Sequence, residues 1–285
     1  VSDVQLDYLV PSPEAAEFVT LFYHFRADVP IFEDTERADN AQLRIRLSPG
    51  EAAYTFPDGS IQQPADIHII GPTSGAMKVR VVGPVRLFGM GLTAAGWAAM
   101  LGNDASSMIN RTIDAEELFG SARLVAARRA LDAARSTEDM AVIAEALVRD
   151  LVVGCDRGAI GFVRQVDAWL AGSPSPEVDD LTGATGLSRR QVERKCNSLY
   201  GAPPKLLARK YRALKAAVAL ATDDDDLDDI IARGFYDQSH LIREIKQFTG
   251  LTPRQIKAEP TLLARLTIEQ RRALGGQVSP LISDT

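Results

Sequence analysis

Two stretches of the chain decide how the rest is read: Ser188-Arg-Arg-Gln-Val-Glu-Arg-Lys-Cys-Asn-Ser-Leu-Tyr-Gly201 and Asp237-Gln-Ser-His-Leu-Ile-Arg-Glu-Ile-Lys-Gln-Phe-Thr-Gly250. They align residue for residue, Ser188 on Asp237 and Gly201 on Gly250, with Pro204 on Pro253 beyond the end. A helix-capping side chain opens each stretch, and Ser188 with Gln191 has the spacing of a capping box. A glycine closes each, as helix C-termini prefer. Apolar residues fall at i, i+4 and i+7: Val192, Cys196 and Leu199 in the first, Leu241, Ile245 and Phe248 in the second. That spacing buries one stripe per helix and makes Cys196 a core residue rather than a reactive thiol. Upstream, residues 178–184 form a short helical pattern ending at Gly186, and residues 227–232 form another ending at Gly234-Phe235. Helix, glycine turn, capped second helix is the helix-turn-helix pattern. Here it occurs twice, separated by a basic helical stretch at 208–221.

The faces opposite the apolar stripes carry the chemistry. The first presents Arg189, Arg190, Glu193, Arg194 and Asn197; the second presents Gln238, Ser239, Ile242, Arg243 and Lys246. The major groove of a DNA duplex admits one helix. Arginine forks onto guanine O6 and N7, glutamate accepts from cytosine N4, glutamine pairs with adenine, and an apolar side chain meets the thymine methyl. Arg189, Arg190, Glu193, Arg194, Gln238, Ser239, Ile242 and Arg243 are therefore the candidate base-reading residues. Lys205, Arg209, Lys210 and Lys246, with Arg212 and Lys215, are candidate phosphate contacts. The chain is acidic overall, with a net charge of −6, which by itself argues against nucleic acid. The distribution argues otherwise: residues 189–215 hold nine basic side chains and the single acid Glu193, the footprint of a localised anion-binding surface. The run Asp223-Asp224-Asp225-Asp226, followed by Asp228 and Asp229, reads as a solvated turn with N-terminal helix charges. It should point away from DNA.

A chain of 285 residues has room for about two domains. At 46% hydrophobic and 25% charged residues it is an ordinary globular composition, which excludes disorder and fibre. Residues 1–119 alternate short apolar runs with Gly, Pro and Asp, as in the strand-like 41–47, 67–70 and 77–85, with a Pro57-Asp58-Gly59-Ser60 turn. Residues 14–25 read equally as helix or strand. Residues 120–156 are helical, 157–258 carry the two helix-turn-helix units, and 259–285 read as a tail with a short helix near 267–274 and a loose end. The expected class is α+β: a β-rich barrel or sandwich, a helical linker region, and an all-α C-terminal domain. The longest uncharged run is too short and too glycine-rich for a membrane span. The first residues lack a secretory pattern, and Cys155 and Cys196 make neither a disulfide framework nor a zinc site. These features predict a soluble, cytoplasmic protein. His24, His68 and His240 are scattered, so no metal site is expected. No phosphate loop, dinucleotide fingerprint or nucleophile elbow occurs. No catalytic residue, no cofactor and no enzymatic activity are expected.

The segment Gly234-Phe-Tyr-Asp-Gln-Ser-His-Leu-Ile-Arg-Glu-Ile-Lys-Gln-Phe-Thr-Gly-Leu-Thr-Pro-Arg-Gln255, with Gly186-Leu-Ser-Arg-Arg-Gln-Val-Glu-Arg-Lys195, resembles the DNA-binding domain of AraC/XylS-type transcription regulators over about residues 157–257. The resemblance implies two helix-turn-helix units joined by a long helix, with recognition helices in successive major grooves about 34 Å apart. Cys196 departs from the aromatic residue more usual there, and the aspartate run is unusually acidic. More weakly, Gly71-Pro72, Gly83-Pro84-Val85-Arg86-Leu87-Phe88-Gly89 and Leu118-Phe119-Gly120 resemble the sensory domain of one branch of that family. This implies a cupin-like β domain that senses a small-molecule effector or mediates homodimerisation, with double-stranded DNA as partner. The rival readings are a cupin-type enzyme, and an interaction module whose DNA-binding domain is vestigial.

Overall fold

Tyr23, Arg44, Arg46 and Tyr54 are buried between two antiparallel sheets, and this interior sets the layout of the N-terminal half. The computed structural model describes residues 3–154, 156–222 and 226–285; Cys155 and Asp223–225 lie outside the described residues. The strands are β1 (Val4–Leu9), β2 (Val19–Ala27), β3 (Ile31–Glu36), β4 (Gln42–Arg46), β5 (Ala52–Thr55), β6 (Ile61–Gln62), β7 (Ile67–Ile70), β8 (Met77–Val82), β9 (Val85–Leu92) and β10 (Thr112–Asp114). Six of them form one sheet in the order β1-β2-β9-β4-β7-β10, and four form the other in the order β3-β8-β5-β6. The ambiguous residues 14–25 resolve into a short 3-10 turn, Ala15–Glu17, and the first half of β2.

Strand alternation sends successive side chains to opposite faces. In the larger sheet, Phe22, Leu43, Ile45, Ile69, Phe88 and Met90 point outward onto helices. Tyr23, Phe25, Ile70 and Val85 point inward and meet Phe32, Tyr54, Met77 and Val79 of the smaller sheet. The Leu43/Ile45 against Arg44/Arg46 alternation would ordinarily mark a strand with one wet face, yet both arginines are 4% exposed. Each has an acidic partner: Arg44 donates to Glu36 Oε2 at 2.6 Å and Arg46 lies 3.3 Å from Asp66. Gly89 is required in β9, because a Cβ there would overlap the Tyr23 ring.

The outward face is covered by α1 (Ala94–Met100), α2 (Ala115–Phe119), α3 (Ser121–Ala133) and α4 (Thr137–Leu151). Leu124, Leu131, Leu147 and Leu151 of α3 and α4 are buried in one cluster with Phe22, Ile45, Phe88 and Trp97. The C-terminal half comprises α5 (Arg157–Gly172), α6 (Val178–Thr185), α7 (Arg189–Tyr200), α8 (Pro204–Ala221), α9 (Leu227–Ala232), α10 (Gln238–Thr249) and α11 (Pro253–Ala258). Asp226 caps α9 by accepting from Asp228 N, and Asp228 and Asp229 occupy its first turn, where they complement the helix dipole.

The tail differs from expectation. After Thr261, which caps it, α12 runs over Leu262–Arg272, and α13 over Pro280–Ser283. Leu262, Leu263 and Leu266 pack on the inner cluster of the β domain, and Leu281 is buried against α5 and α7. These leucines found partners on distant strands, which no local pattern announces. No helix among the described residues is long and apolar enough to cross a membrane.

Leu131 is fully buried where α3 meets the sheet. Leu131→Ala should lower unfolding free energy by about 2–5 kcal/mol, read as a fall in the urea midpoint with an unchanged m-value.

Candidate nucleic-acid interface

The two units are built as their sequences dictate. Gly186 takes φ +65 and ends α6 in the left-handed region, where a side chain would be strained. Ser188 then caps α7, and Ser188 and Gln191 exchange both bonds of the capping box. In the second unit the Asp237 carboxylate accepts from His240 N at 2.7 Å and starts α10. Gly201 and Gly250, both left-handed, terminate the two helices. Val192 and Cys196 are fully buried, as are Leu241, Ile245 and Phe248. Leu199 is only half-buried, and Tyr200 takes the end of the first stripe. The Tyr200 hydroxyl donates to Asp167 Oδ1 at 2.8 Å, and burial pushes that carboxyl up to about 6. Burial, reinforced by the Glu193 charge, pushes the Cys196 thiol up to about 12, consistent with a packing role.

The polar faces are exposed. Arg189, Arg190, Arg194, Gln238, Ser239, Arg243 and Lys246 are open to solvent, and Glu193 and Ile242 are half-buried. Arg189 and Glu193 lie 3.5 Å apart on consecutive turns. The first turns of α7 and α10 share one groove of about 560 Å³, lined by Arg189, Lys205, Arg209, Arg212 and His240 and by the acids Glu177, Asp179 and Glu244. Tyr236, exposed at 92%, stands in the turn before α10; the sequence places it there, and the structure adds that its ring is open to solvent.

The basic residues of α8 divide by direction. Lys205 is exposed and Arg209 half-buried. Lys210 corrects its expected role in this arrangement. It is 5% exposed, its ammonium donates to Asn40 Oδ1 at 3.1 Å, and burial lowers its pKa to about 8. It faces the β domain, away from any phosphate. Lys215 likewise donates to the carbonyls of Leu170 and Ala171 at the end of α5. A helix carries basic residues on all sides, and only packing decides which side meets solvent.

Glu244 was not singled out from sequence, yet it organises the second unit. Its buried carboxylate accepts from Arg209 Nε at 2.6 Å and Arg212 Nη2 at 2.7 Å, with His240 Nε2 at 3.1 Å. His240 Nδ1 accepts from Tyr236 N, which leaves the hydrogen on Nε2 to face Glu244. Burial opposes the charge, but the two arginine hydrogen bonds outweigh it and hold this carboxyl below the usual range. The signal was present as two arginines one turn apart on α8, opposite an acid beside the apolar stripe of α10.

Residues 181–259 match the helix-turn-helix domain family. Over about four fifths of its length the chain is similar to solved structures of ToxT from Vibrio cholerae. One is 10% identical with a TM-score of 0.47, covering 82% of this chain and 97% of that one. ToxT of strain O395 is 11% identical with a TM-score of 0.45, covering 84% and 99%. Unsaturated fatty acid-bound ToxT of strain SCE256 is 9% identical with a TM-score of 0.42, covering 81% and 93%. No curated protein matches the sequence.

The β domain grips the far ends of both recognition helices. Phe248 O accepts from Ala38 N at 2.6 Å and Gln247 O from Ala76 N at 2.9 Å, while Gly201 abuts Pro72, Ala105 and Ile109. The reading ends stay outward.

Removing the charged hub is costly because it strands two guanidinium groups. Glu244→Gln should destabilise the chain by about 1.5–3 kcal/mol at neutral pH. The carboxyl's folded pKa is depressed, so its contribution is present above the ordinary carboxylate pKa and lost as pH falls through the folded value. The gap between wild type and variant should therefore close in acid, measured by urea unfolding across pH 3–7.

Proposed function

We propose that this chain is a sequence-specific DNA-binding transcription regulator rather than an enzyme. In this reading residues 157–258 bind the duplex and residues 1–119 sense a small molecule. What supports it is that the first turns of α7 and α10 present Arg189, Arg190, Gln238 and Ser239 to solvent, since recognition helices read bases from their N-terminal residues. Arg190 and Arg194 read guanine, Glu193 cytosine, Gln238 adenine, and Ile242 a thymine methyl; Ser239 and Arg243 complete the second reading face. Arg189, a base-reading candidate in the sequence, lines the groove between the units with Lys205 and Arg209; we assign these three, with Lys246 of α10, to backbone phosphate. The sensing role is supported by cavities at the junction of the β domain with α8 and α12, one of about 140 Å³ and one of about 560 Å³. A molecule lodged there touches both halves, and it shifts the equilibrium by its differential affinity for the docked and released arrangements.

Genome-wide capture of bound fragments, followed by titration on a captured site, tests the reading. Arg194→Ala should weaken the specific site by about 1–3 kcal/mol and leave random DNA nearly unchanged. Equal loss on both would make Arg194 a phosphate contact, and no bound fragment at low salt would remove the DNA-binding function.

A further inference from the structure

We propose that Tyr236, in the turn that leads into α10, is a contact to the DNA backbone: its ring lies along a deoxyribose and its hydroxyl donates to a phosphate at the edge of the groove that α10 enters. The inference rests on the DNA-binding reading proposed above and adds a contact outside the two charged faces.

The repeat supplies the comparison that singles this residue out. Tyr236 aligns with Leu187, each one residue before the cap of its recognition helix. An apolar residue at that position commonly packs against the fourth residue of the helix and fixes the entry angle of the chain. Leu187 follows the rule: it is half-buried and packs in the cluster that holds Val192, the fourth residue of α7. Tyr236 breaks it. Phe235 is buried instead, in the cluster that holds Leu241, the fourth residue of α10. The Tyr236 side chain is left 92% exposed, the most open of the large apolar side chains in the described residues. A large amphipathic ring held in water serves no packing in the fold, and tyrosines of this kind favour interfaces where one end is apolar and the other polar.

The backbone that carries the ring is fixed on both sides. Before it, Phe235 lies under the Arg212 guanidinium, 4.9 Å from the ring centre, and stands edge-on to the His240 ring at 5.8 Å. After it, the Asp237 carboxylate caps α10 by accepting from His240 N. Tyr236 N itself donates to His240 Nδ1 at 3.1 Å. Only the side-chain torsions remain to be ordered when a partner arrives, and tyrosine has two, so the ring offers contact area at low entropic cost.

Position and chemistry choose the partner. Gln238 and Ser239, two and three residues further on, open the exposed reading face of α10, so Tyr236 precedes the residues that enter the groove. The edges of a groove are made of sugars and phosphates, and tyrosine is among the side chains that donate to phosphate and so set the register of a protein on the duplex. A phenol is a neutral donor on an apolar ring, which matches a phosphate oxygen beside a sugar face. Because it brings no positive charge, its contact releases no condensed counterion, unlike those of Lys205, Arg209 and Lys246. Affinity gained through Tyr236 is therefore insensitive to salt.

Titration of the full chain on a captured site and on random duplex, across a range of salt concentrations, tests the contact. Tyr236→Phe keeps the ring at an exposed position and should leave thermal unfolding unchanged. It should weaken both duplexes by the same factor, about tenfold, with an unaltered salt slope; Tyr236→Ala should weaken them further. Replacing single phosphates of the captured site by neutral methylphosphonate should find one position that weakens the wild type about tenfold and Tyr236→Phe hardly at all. A loss confined to the captured site would make Tyr236 a base reader. That result, an unchanged affinity, or the lack of any phosphate coupled to the hydroxyl overturns the contact and leaves the DNA-binding reading standing. If the wild type binds no duplex at low salt, that reading falls and the contact with it.

Discussion

A carboxylate buried beneath two guanidinium groups holds the DNA-binding half in shape. Glu244 lies on the recognition helix of the second unit, and Arg209 and Arg212 lie on the long helix that connects the units. The ion pairs therefore fix the angle at which α10 leaves α8. Because α8 is also joined to α7 by the turn at Gly201, that angle sets how the two reading faces stand to each other. A buried carboxylate without its partners would be strongly unfavourable, so the arrangement tolerates little drift. In the proposed reading, recognition of two successive grooves needs that rigidity, since a small change in helix spacing misplaces every base contact in one half-site.

The same helix is shared with the β domain. Its first turn is polar and outward, its middle binds α8, and its last turn hands backbone carbonyls to Ala38 and Ala76. Phe248 is buried together with Ala38, Ala213 and Leu214, joining the two halves through one aromatic ring. The first unit meets the β domain by packing, with Gly201 against Pro72, Ala105 and Ile109. The β domain thus takes hold of each reading helix at the end that does not read.

The tail adds a second link. Read alone, residues 259–285 have five leucines, a short arginine-rich helical pattern near 267–274 and a polar end that reads as loose. In the folded chain Leu262, Leu263 and Leu266 lie on the β domain and Arg271 reaches Asp39, so the segment spans from the helix-turn-helix domain back to the β domain. Its charge pattern makes sense only once Asp34, Asp39 and Tyr8 are brought beside it. The three lysines of α8 follow the same logic: Lys205, Lys210 and Lys215 look equivalent in sequence, and one meets solvent, one a neighbouring domain and one a helix end.

The sequence by itself determined the two helix-turn-helix units. Caps, glycine stops and the i, i+4, i+7 stripe are local rules enforced within one or two turns, so Ser188, Gly201, Asp237 and Gly250 could be read without a structure. It also determined the β-rich first half and the outward polar faces, because alternation and amphipathicity are short-range. Tertiary structure alone decided that Arg44 and Arg46 are interior, that Glu244 is a hub, that Lys210 faces inward, and that α12 closes a cavity. Each of those depends on a partner far away in the chain, and a buried charge is stable only where a distant segment supplies its counter-charge.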